Sequence, residues 1–390
     1  MTQTLSPSPE IKGWCPGALR PMMSGDGLVV RVRPRGGRLS PDQARGIAAL
    51  SRQFGNGLID LSARANVQLR GVTEVNHGPL IEGLRALGLI DPSTEAEARR
   101  NITITPFWAE GDGTADLAHR LTEALAIDDA PQTPGKFGYA IDCGPLPVLR
   151  EVSADIRIER SAIGLIVRPD GSPTGAPVTQ ETAAATALGL ARWFLYSGGA
   201  PEGRGRMAAH LARGAVLPPE FASAAAPTNP APPPGPGPLA LGVLVGFDFG
   251  QMQAETLSIL AESGALRITP WRMILIEGAA EAPDLPGLIT RPDDPMLRVI
   301  ACTGAPGCPQ ALAPTRPLAR ALSGALAPGQ LLHVAGCAKG CALPGPAPLT
   351  LVGRSGGTFD LIRDGTAADP PGRRGLTANA LIQSPALLTE

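Results

Sequence analysis

The sequence predicts an α+β protein. Two strand–helix–strand half-units pair into one pseudo-symmetric domain, joined by a central α/β region and a C-terminal α/β region that carries cysteines. Three observations lead there. A segment near residue 60 recurs without gaps near residue 270. The stretch between the two copies alternates strand and helix patterns. Four of the six cysteines fall late in the chain, as Cys302-x5-Cys308 and Cys337-x3-Cys341, in loops rich in glycine and proline.

The length of 390 residues suits two to three domains, and 43% hydrophobic content suits ordinary cores. No apolar run approaches the roughly 20 residues of a membrane span. The start, MTQTLSPSPEIKGW, lacks a basic stretch followed by an apolar one, so a cytoplasmic location is expected. Thiols stay reduced there, and metal sites are favoured over disulfides. The net charge of −1 argues against a general nucleic-acid or membrane surface. Only Lys12, Lys136 and Lys339 among the 34 basic residues are lysines; the rest are arginines.

Residues 1–90 are expected to hold an irregular start and the first half-unit. Trp14-Cys15-Pro16-Gly17 reads as a compact turn, with Cys15 a buried thiol in preference to a metal ligand. GLVVRVRPRGGR (27–38) alternates like a strand, which puts Arg31, Arg33 and Arg35 on one face. That row is either a solvated edge or a wall facing a polyanion, since Arg pairs bidentately with carboxylates. Ser40 caps a helix with Pro41 and Asp42 in its first turn, running to about Phe54. Gly55-Asn56-Gly57 ends it, and LIDLSARANVQLRGV (58–72) returns as a strand. This is one half of a ferredoxin-like unit.

Residues 91–226 form the expected central region. RRNITITPFW (99–108) enters a turn, DLAHRLTEALAI (116–127) has helical spacing, and TPGKFGYAIDCG (133–144) is a loop leading into a strand. Two further strands cover 156–169, and an Ala-rich helix covers 178–196. PTNPAPPPGPGP (227–238) reads as a semi-rigid linker. Residues 239–290 repeat the half-unit. GALRITPWRMILIEG (264–278) aligns with GLIDLSARANVQLRG (57–71), with apolar residues matched at 59/266, 61/268, 67/274 and 69/276. Residues 291–390 hold the cysteine region, a short helix capped by Thr315, the hairpin LTLVGRSGGTFDLIRDG, and a polar tail of about twenty residues.

Thiolates ligate iron–sulfur clusters and zinc, and glycine-rich loops leave backbone N–H groups free to face the sulfurs. The five-residue gap favours iron over a zinc knuckle; zinc and buried thiols remain the alternatives. His77, His119, His210 and His333 form no spaced motif. Cys143 lies in the strand after Lys136, apart from the four clustered cysteines, and is an open candidate for a metal ligand. No strand–GxGxxG–helix unit is present, so a bound nicotinamide dinucleotide is not expected.

From residue 18 to 365 the chain resembles the sirohaem-type nitrite and sulfite reductase superfamily. ARANVQLRG (63–71) is similar to the first-repeat strand of that superfamily, with Arg64 where an arginine faces the anionic ligand. RRN (99–101) resembles its Arg-Asn turn, giving Arg100 as an anion-binding residue. GKFG (135–138) resembles the loop that supplies an active-site lysine, giving Lys136. ACTGAPGCP and GCAKGC resemble the cluster loops, which implies Cys302, Cys308, Cys337 and Cys341 as ligands. Sulfite reductases carry a second lysine where this chain has Gly138. GWCPGALRPMMSGDGLVVRVRP and TFDLIRDG resemble the precorrin-3B synthase branch.

That branch implies O2-dependent oxygenation of precorrin-3A at C20 with γ-lactone formation. It also implies a [4Fe–4S] cluster, an associated non-haem iron, and NADH as formal reductant. A tetrapyrrole fringed with carboxylates needs fixed cations, which makes Arg31, Arg33, Arg35 and Arg70 expected substrate-binding residues beside Arg64, Arg100 and Lys136. The expected partners are precorrin-3A, O2 and a separate electron-donor reductase, with no nucleic acid and no membrane. Two other readings stand beside it: a sirohaem nitrite or sulfite reductase, and a non-enzymatic metal-bearing tetrapyrrole scaffold.

Overall fold

The computed structural model describes residues 16–223 and 225–389. Trp14 and Cys15 lie outside the described residues. The two half-units share one plan. The first has a hairpin (Met22–Ser24, Gly27–Val32), a tight turn at Arg35–Gly37 and a two-residue strand, Arg38–Leu39. The helix Pro41–Phe54 and a second hairpin (Leu58–Leu61, Val67–Val72) complete it. The second repeats this order over Gly237–Leu239, Gly242–Phe247, Asp248–Gly250, Gln251–Gln253, Ala254–Leu260, Leu266–Ile268 and Met273–Glu277.

The short strand after each turn crosses over. Arg38–Leu39 pairs with Leu266–Arg267, and Gln251–Gln253 pairs with Leu58–Asp60. Each half therefore supplies an edge strand to the other half's sheet; the first sheet has five strands and the second six, because Leu288–Ile289 also pairs with Gly246–Phe247. The cause lies in the turns, whose middle residues are left-handed: Gly36 at φ 59° and Phe249 at φ 57°. Glycine adopts this freely, whereas Phe249 carries a cost of about 1–2 kcal/mol. The ungapped repeat holds at the level of conformation as well. Ala65 (φ 52°) and Arg272 (φ 62°) occupy one repeat position, and Gly71 (φ 68°) and Gly278 (φ 71°) another.

One hydrophobic core unites the halves. The first helix turns Ala44, Ile47 and Ala48 inward, and its shorter counterpart contributes Leu257 and Leu260. Ser40 caps the first helix as expected, in a reciprocal box with Gln43. Burying each large aliphatic side chain contributes about 1.5–3 kcal/mol, so this shared core is what holds the two sheets together.

In the central region Ile102–Ile104, Tyr139–Asp142 and Ile156–Ser161 run parallel, and Gly164–Pro169 and Ala176–Val178 close the sheet antiparallel. Helices Thr114–Ala126 and Ala183–Tyr196 bury Leu117, Leu121, Leu188 and Phe194 with it. The second helix begins later than its composition suggests, because Ala176–Val178 is taken as a strand. The Pro-rich segment is docked along its length. Thr228 and Ala231 donate their N–H groups to the carbonyls of Arg160 and Pro147.

The C-terminal sheet explains why the two cysteine motifs, with 28 residues between Cys308 and Cys337, converge. Val299–Ala301 and Leu332–Ala335 are adjacent parallel strands, with Ala301 opposite Val334. Both cysteine loops leave the carboxyl ends of those neighbours. Ala347–Arg354 and Thr358–Gly365 form the expected hairpin. Two expectations are corrected here. The last twenty residues are no free tail: Arg373–Thr377 joins the sheet, and Leu381 and Leu388 insert into the core. Their apolar spacing outweighs the polar composition. Thr315 precedes the helix Arg316–Leu322 without capping it, since its hydroxyl donates to the Cys302 carbonyl (2.7 Å).

Candidate redox centre and cavity

Hydrogen bonds tie the two cysteine loops together. The Gly336 N–H donates to Cys302 Sγ (3.2 Å), and the Leu312 N–H donates to the Gly336 carbonyl (2.8 Å). A Cβ at Gly336 would stand 3.4 Å from Cys302 Sγ and 2.7 Å from the Ala311 Cβ, so a larger residue there would push the loops apart. Burial raises the Cys341 thiol's pKa, Lys339 lowers it, and Cys337, Cys302 and Cys308 each raise it. The other three sulfurs therefore lie close enough to Cys341 to act on it.

Four thiols with a backbone N–H already aimed at one sulfur fit an iron–sulfur cluster, whose sulfurs accept such bonds. Among the described residues, no three His, Cys, Asp or Glu side chains converge closely enough to hold one ion.

The first half-unit grips this centre. The turn Ser24-Gly25-Asp26 lies on the first cysteine loop: the Ser24 hydroxyl donates to the Gly307 carbonyl (2.7 Å), as does the Gly25 N–H (3.1 Å). Arg70 braces the turn from below, paired with Asp26 (2.6 Å) and reaching the same carbonyl (3.5 Å).

A cavity of about 370 Å³ opens beside Cys302 and Cys341. Four arginines line it: Arg31 and Arg64 from the first half, Arg272 from the second, and Arg316 from the C-terminal region. Arg31 is steadied by the Gln68 side-chain oxygen (2.7 and 3.0 Å), and Arg64 donates to the Lys136 carbonyl (2.9 Å). Arg316 approaches Asp60 at 3.7 Å, and its Nε has no partner. Burial, the largest cause, lowers the pKa of both Arg272 and Arg316. Asp60 is the acidic residue of the lining, so the cavity is net cationic and suits a ligand with several carboxylates.

A second cavity of about 560 Å³ adjoins the first, sharing Ala63, Phe249, Arg272 and Ala342 with it. It is apolar, with Trp271, Phe247, Met273 and Leu297 in its walls and Pro233, Pro234 and Pro236 along one side. The turn 269–273 is the repeat counterpart of 62–66. Trp271 stands where the first half has Arg64, so the duplication supplies one cationic and one apolar wall. Phe249 and Arg272, both left-handed without being glycine, line both cavities. Strained backbone of this kind gathers at binding sites.

Of the expected site residues, the structure brings Arg31 and Arg64 into the cavity with Cys302 and Cys341. Lys136 is exposed and contributes its carbonyl, through Arg64. Four placements differ from expectation. The strand ends at Val32, so the arginine row breaks there. Arg33 is buried and donates to the carbonyls of Glu97 and Arg100. Burial is the main cause that lowers its pKa, to about 10. Arg35 is exposed near Asp91 (3.9 Å). Arg100 is buried with both arms of its fork filled by Asp91 (2.7 Å each), and Arg70 serves the loop clamp. A guanidinium whose bidentate face is already occupied by a buried carboxylate has none left for a ligand.

Sequence reasoning passed over Arg272, Arg316, Asp60 and Phe249. Among 31 arginines only the fold singles out two, although the alignment of Arg272 with a mid-turn Ala65 was a usable signal. Cys143, a candidate iron ligand from sequence, is buried with its thiol pushed up to about 12 by burial above all. Its partner is the Ile158 carbonyl (3.8 Å).

Residues 20–87 match the nitrite/sulfite reductase ferredoxin-like half domain. A precorrin-3B synthase from Sinorhizobium sp is 31% identical, the match covering 92% of this chain and 84% of that one. The chain belongs to the precorrin-3B synthase family. Two further relatives match in part. The sulfite reductase [NADPH] hemoprotein beta-component of Shouchella clausii is 32% identical over 25% of this chain and 18% of its own length. The assimilatory ferredoxin-dependent nitrite reductase of Haloferax mediterranei is 27% identical over 33% and 27%. The structure of Mycobacterium tuberculosis NirA superposes with a TM-score of 0.63 and 21% identity, covering 91% of this chain and 79% of NirA. NirA shares the overall fold.

Proposed function

We propose that the chain converts precorrin-3A to precorrin-3B in cobalamin biosynthesis. O2 places one oxygen atom on C20, and a γ-lactone closes from the ring A acetate. The other oxygen atom leaves as water, with two electrons drawn formally from NADH. The observation that carries this reading is a four-arginine cavity beside the thiols of Cys302 and Cys341 in a member of this family.

A [4Fe–4S] cluster held by Cys302, Cys308, Cys337 and Cys341 supplies one-electron transfer when bound. The protein's own residues do the rest. Arg31, Arg64, Arg272 and Arg316 clamp the carboxylates of the macrocycle. The apolar cavity around Trp271 and Phe249 takes its hydrocarbon surface and keeps water from it. Fixing the ring A acetate beside the reacting carbon makes lactone closure intramolecular, an advantage that reaches about 7–11 kcal/mol in well-oriented cases. No dinucleotide-binding motif is present in the sequence, so a separate reductase delivers the electrons.

The test incubates anaerobically purified protein with precorrin-3A, an electron-donor system and ¹⁸O2. One ¹⁸O atom in a lactone product supports the reading; no O2-dependent product refutes it. The placement of Cys341 in the cavity wall favours one alternative, a sirohaem nitrite or sulfite reductase. Sharp macrocycle bands in the visible spectrum, with reduction of nitrite or sulfite, would establish that instead.

A further inference from the structure

His333 is fully buried (0% exposed), and neither ring nitrogen has a hydrogen-bond partner. Such groups are rare, because an unpaired buried polar atom costs about 1–3 kcal/mol. The other histidines are accounted for. His77 bonds the Ala18 carbonyl, His119 pairs with Glu123, and His210 bonds Ser197.

The position of His333 is specific. It lies on the strand Leu332–Ala335, which feeds directly into Cys337-x3-Cys341. Its Cε1, the ring carbon between the two nitrogens, would lie 3.7 Å from a Cβ built on Gly340. The nitrogen-bearing edge therefore faces the cysteine loop. Gly340 is left-handed (φ 59°), and any larger residue there would also meet Ala367 at 3.1 Å. The loop thus closes tightly over the imidazole. Burial, reinforced by the Arg272 charge, holds the ring's pKa down at about 4, so near pH 7 it is neutral with one N–H to give.

We propose that His333 is a positioning residue for the iron–sulfur cluster, donating its ring N–H to a cluster sulfur from beneath the 337–341 loop and so raising the cluster's reduction potential. This rests on the cluster reading given above. The ring whose nitrogens lack partners lies under the loop that carries Cys337 and Cys341, the loop expected to hold the cluster. Hydrogen bonds to the sulfurs stabilise the added negative charge of the reduced cluster, which shifts the potential upward.

The experiment uses the full chain purified anaerobically with its cluster, in the parent form, His333→Gln and His333→Leu. The midpoint potential is read by dye-mediated titration, and the parent labelled with ¹⁵N-histidine is examined by pulsed EPR in the reduced state. The Leu variant is expected to be harder to reduce, by about tenfold in the one-electron equilibrium or 59 mV. The Gln variant, which keeps an N–H donor, is expected to fall between. A ¹⁵N coupling is expected in the labelled parent. Should the Leu variant not fold, the Gln potential and the ¹⁵N coupling decide. Unchanged potentials and no ¹⁵N coupling in brown protein overturn the role of His333 alone. A parent protein purified colourless under strict anaerobiosis overturns the cluster reading as well.

Discussion

Gly25→Ala tests whether the first half-unit holds the cysteine loop in place. The new Cβ would fall 2.3 Å from the Pro306 carbonyl oxygen and 3.1 Å from the Gly307 carbonyl carbon. Ordinary contact begins near 3.4 Å, so the turn and the loop must separate by about an ångström. The atoms met are backbone, with no flexible side chain to swing aside. That separation breaks the bonds from Ser24 and the Gly25 N–H to the Gly307 carbonyl. Two neutral hydrogen bonds contribute about 1–3 kcal/mol together, and partial relief leaves some strain besides. A local cost of about 2 kcal/mol makes opening of the loop around Cys308 roughly 30-fold more frequent. The assay challenges anaerobic protein with an iron chelator and follows bleaching of the brown colour. Bleaching ten- to hundredfold faster than the parent is expected, with affinity for a carboxylated tetrapyrrole little changed. Equal bleaching rates would show that the 24–26 turn does not brace the centre.

Arg316→Gln should weaken binding of a carboxylated tetrapyrrole about 10- to 100-fold, the loss of one charge-assisted bond worth about 1.5–3 kcal/mol, and should flatten the salt dependence; a titration at two ionic strengths checks both. Arg100→Ala should act on stability instead, because it strands the buried Asp91 carboxylate; a cost of about 3–5 kcal/mol is expected in denaturant unfolding, and an unchanged midpoint would return Arg100 to the list of ligand-facing residues. The Cys143 thiol stays protonated in the folded chain until about pH 12, against an ordinary value near 9. The unfolded chain therefore loses that proton first, and stability falls as pH rises from 9 towards 12. Cys143→Ala should flatten that part of the alkaline unfolding curve, and native Cys143 should resist alkylation at pH 8.

Local sequence determined much of this protein. The ungapped match of 57–71 with 264–278 was legible because a duplicated hairpin keeps its apolar alternation and its left-handed positions. The helix after Ser40 was legible from its capping box, and the cysteine centre from spacing and glycine content. Arg31 and Arg64 were found because one lies on an alternating strand and the other in a motif. What sequence could not show was which way a charge faces once its strand has ended. Arg33 and Arg100 carry the same guanidinium as Arg31, yet Glu97, Asp91 and neighbouring carbonyls absorb them. The terminal segment likewise read as polar until Leu381 and Leu388 met a core to enter. Tertiary structure alone decided that Arg272 and Arg316, 44 residues apart and in no shared motif, stand with Cys302 around one cavity. The physical reason is the exchange of strands between the halves and the parallel pairing of 299–301 with 332–335. Both are long-range contacts, and no local pattern records them.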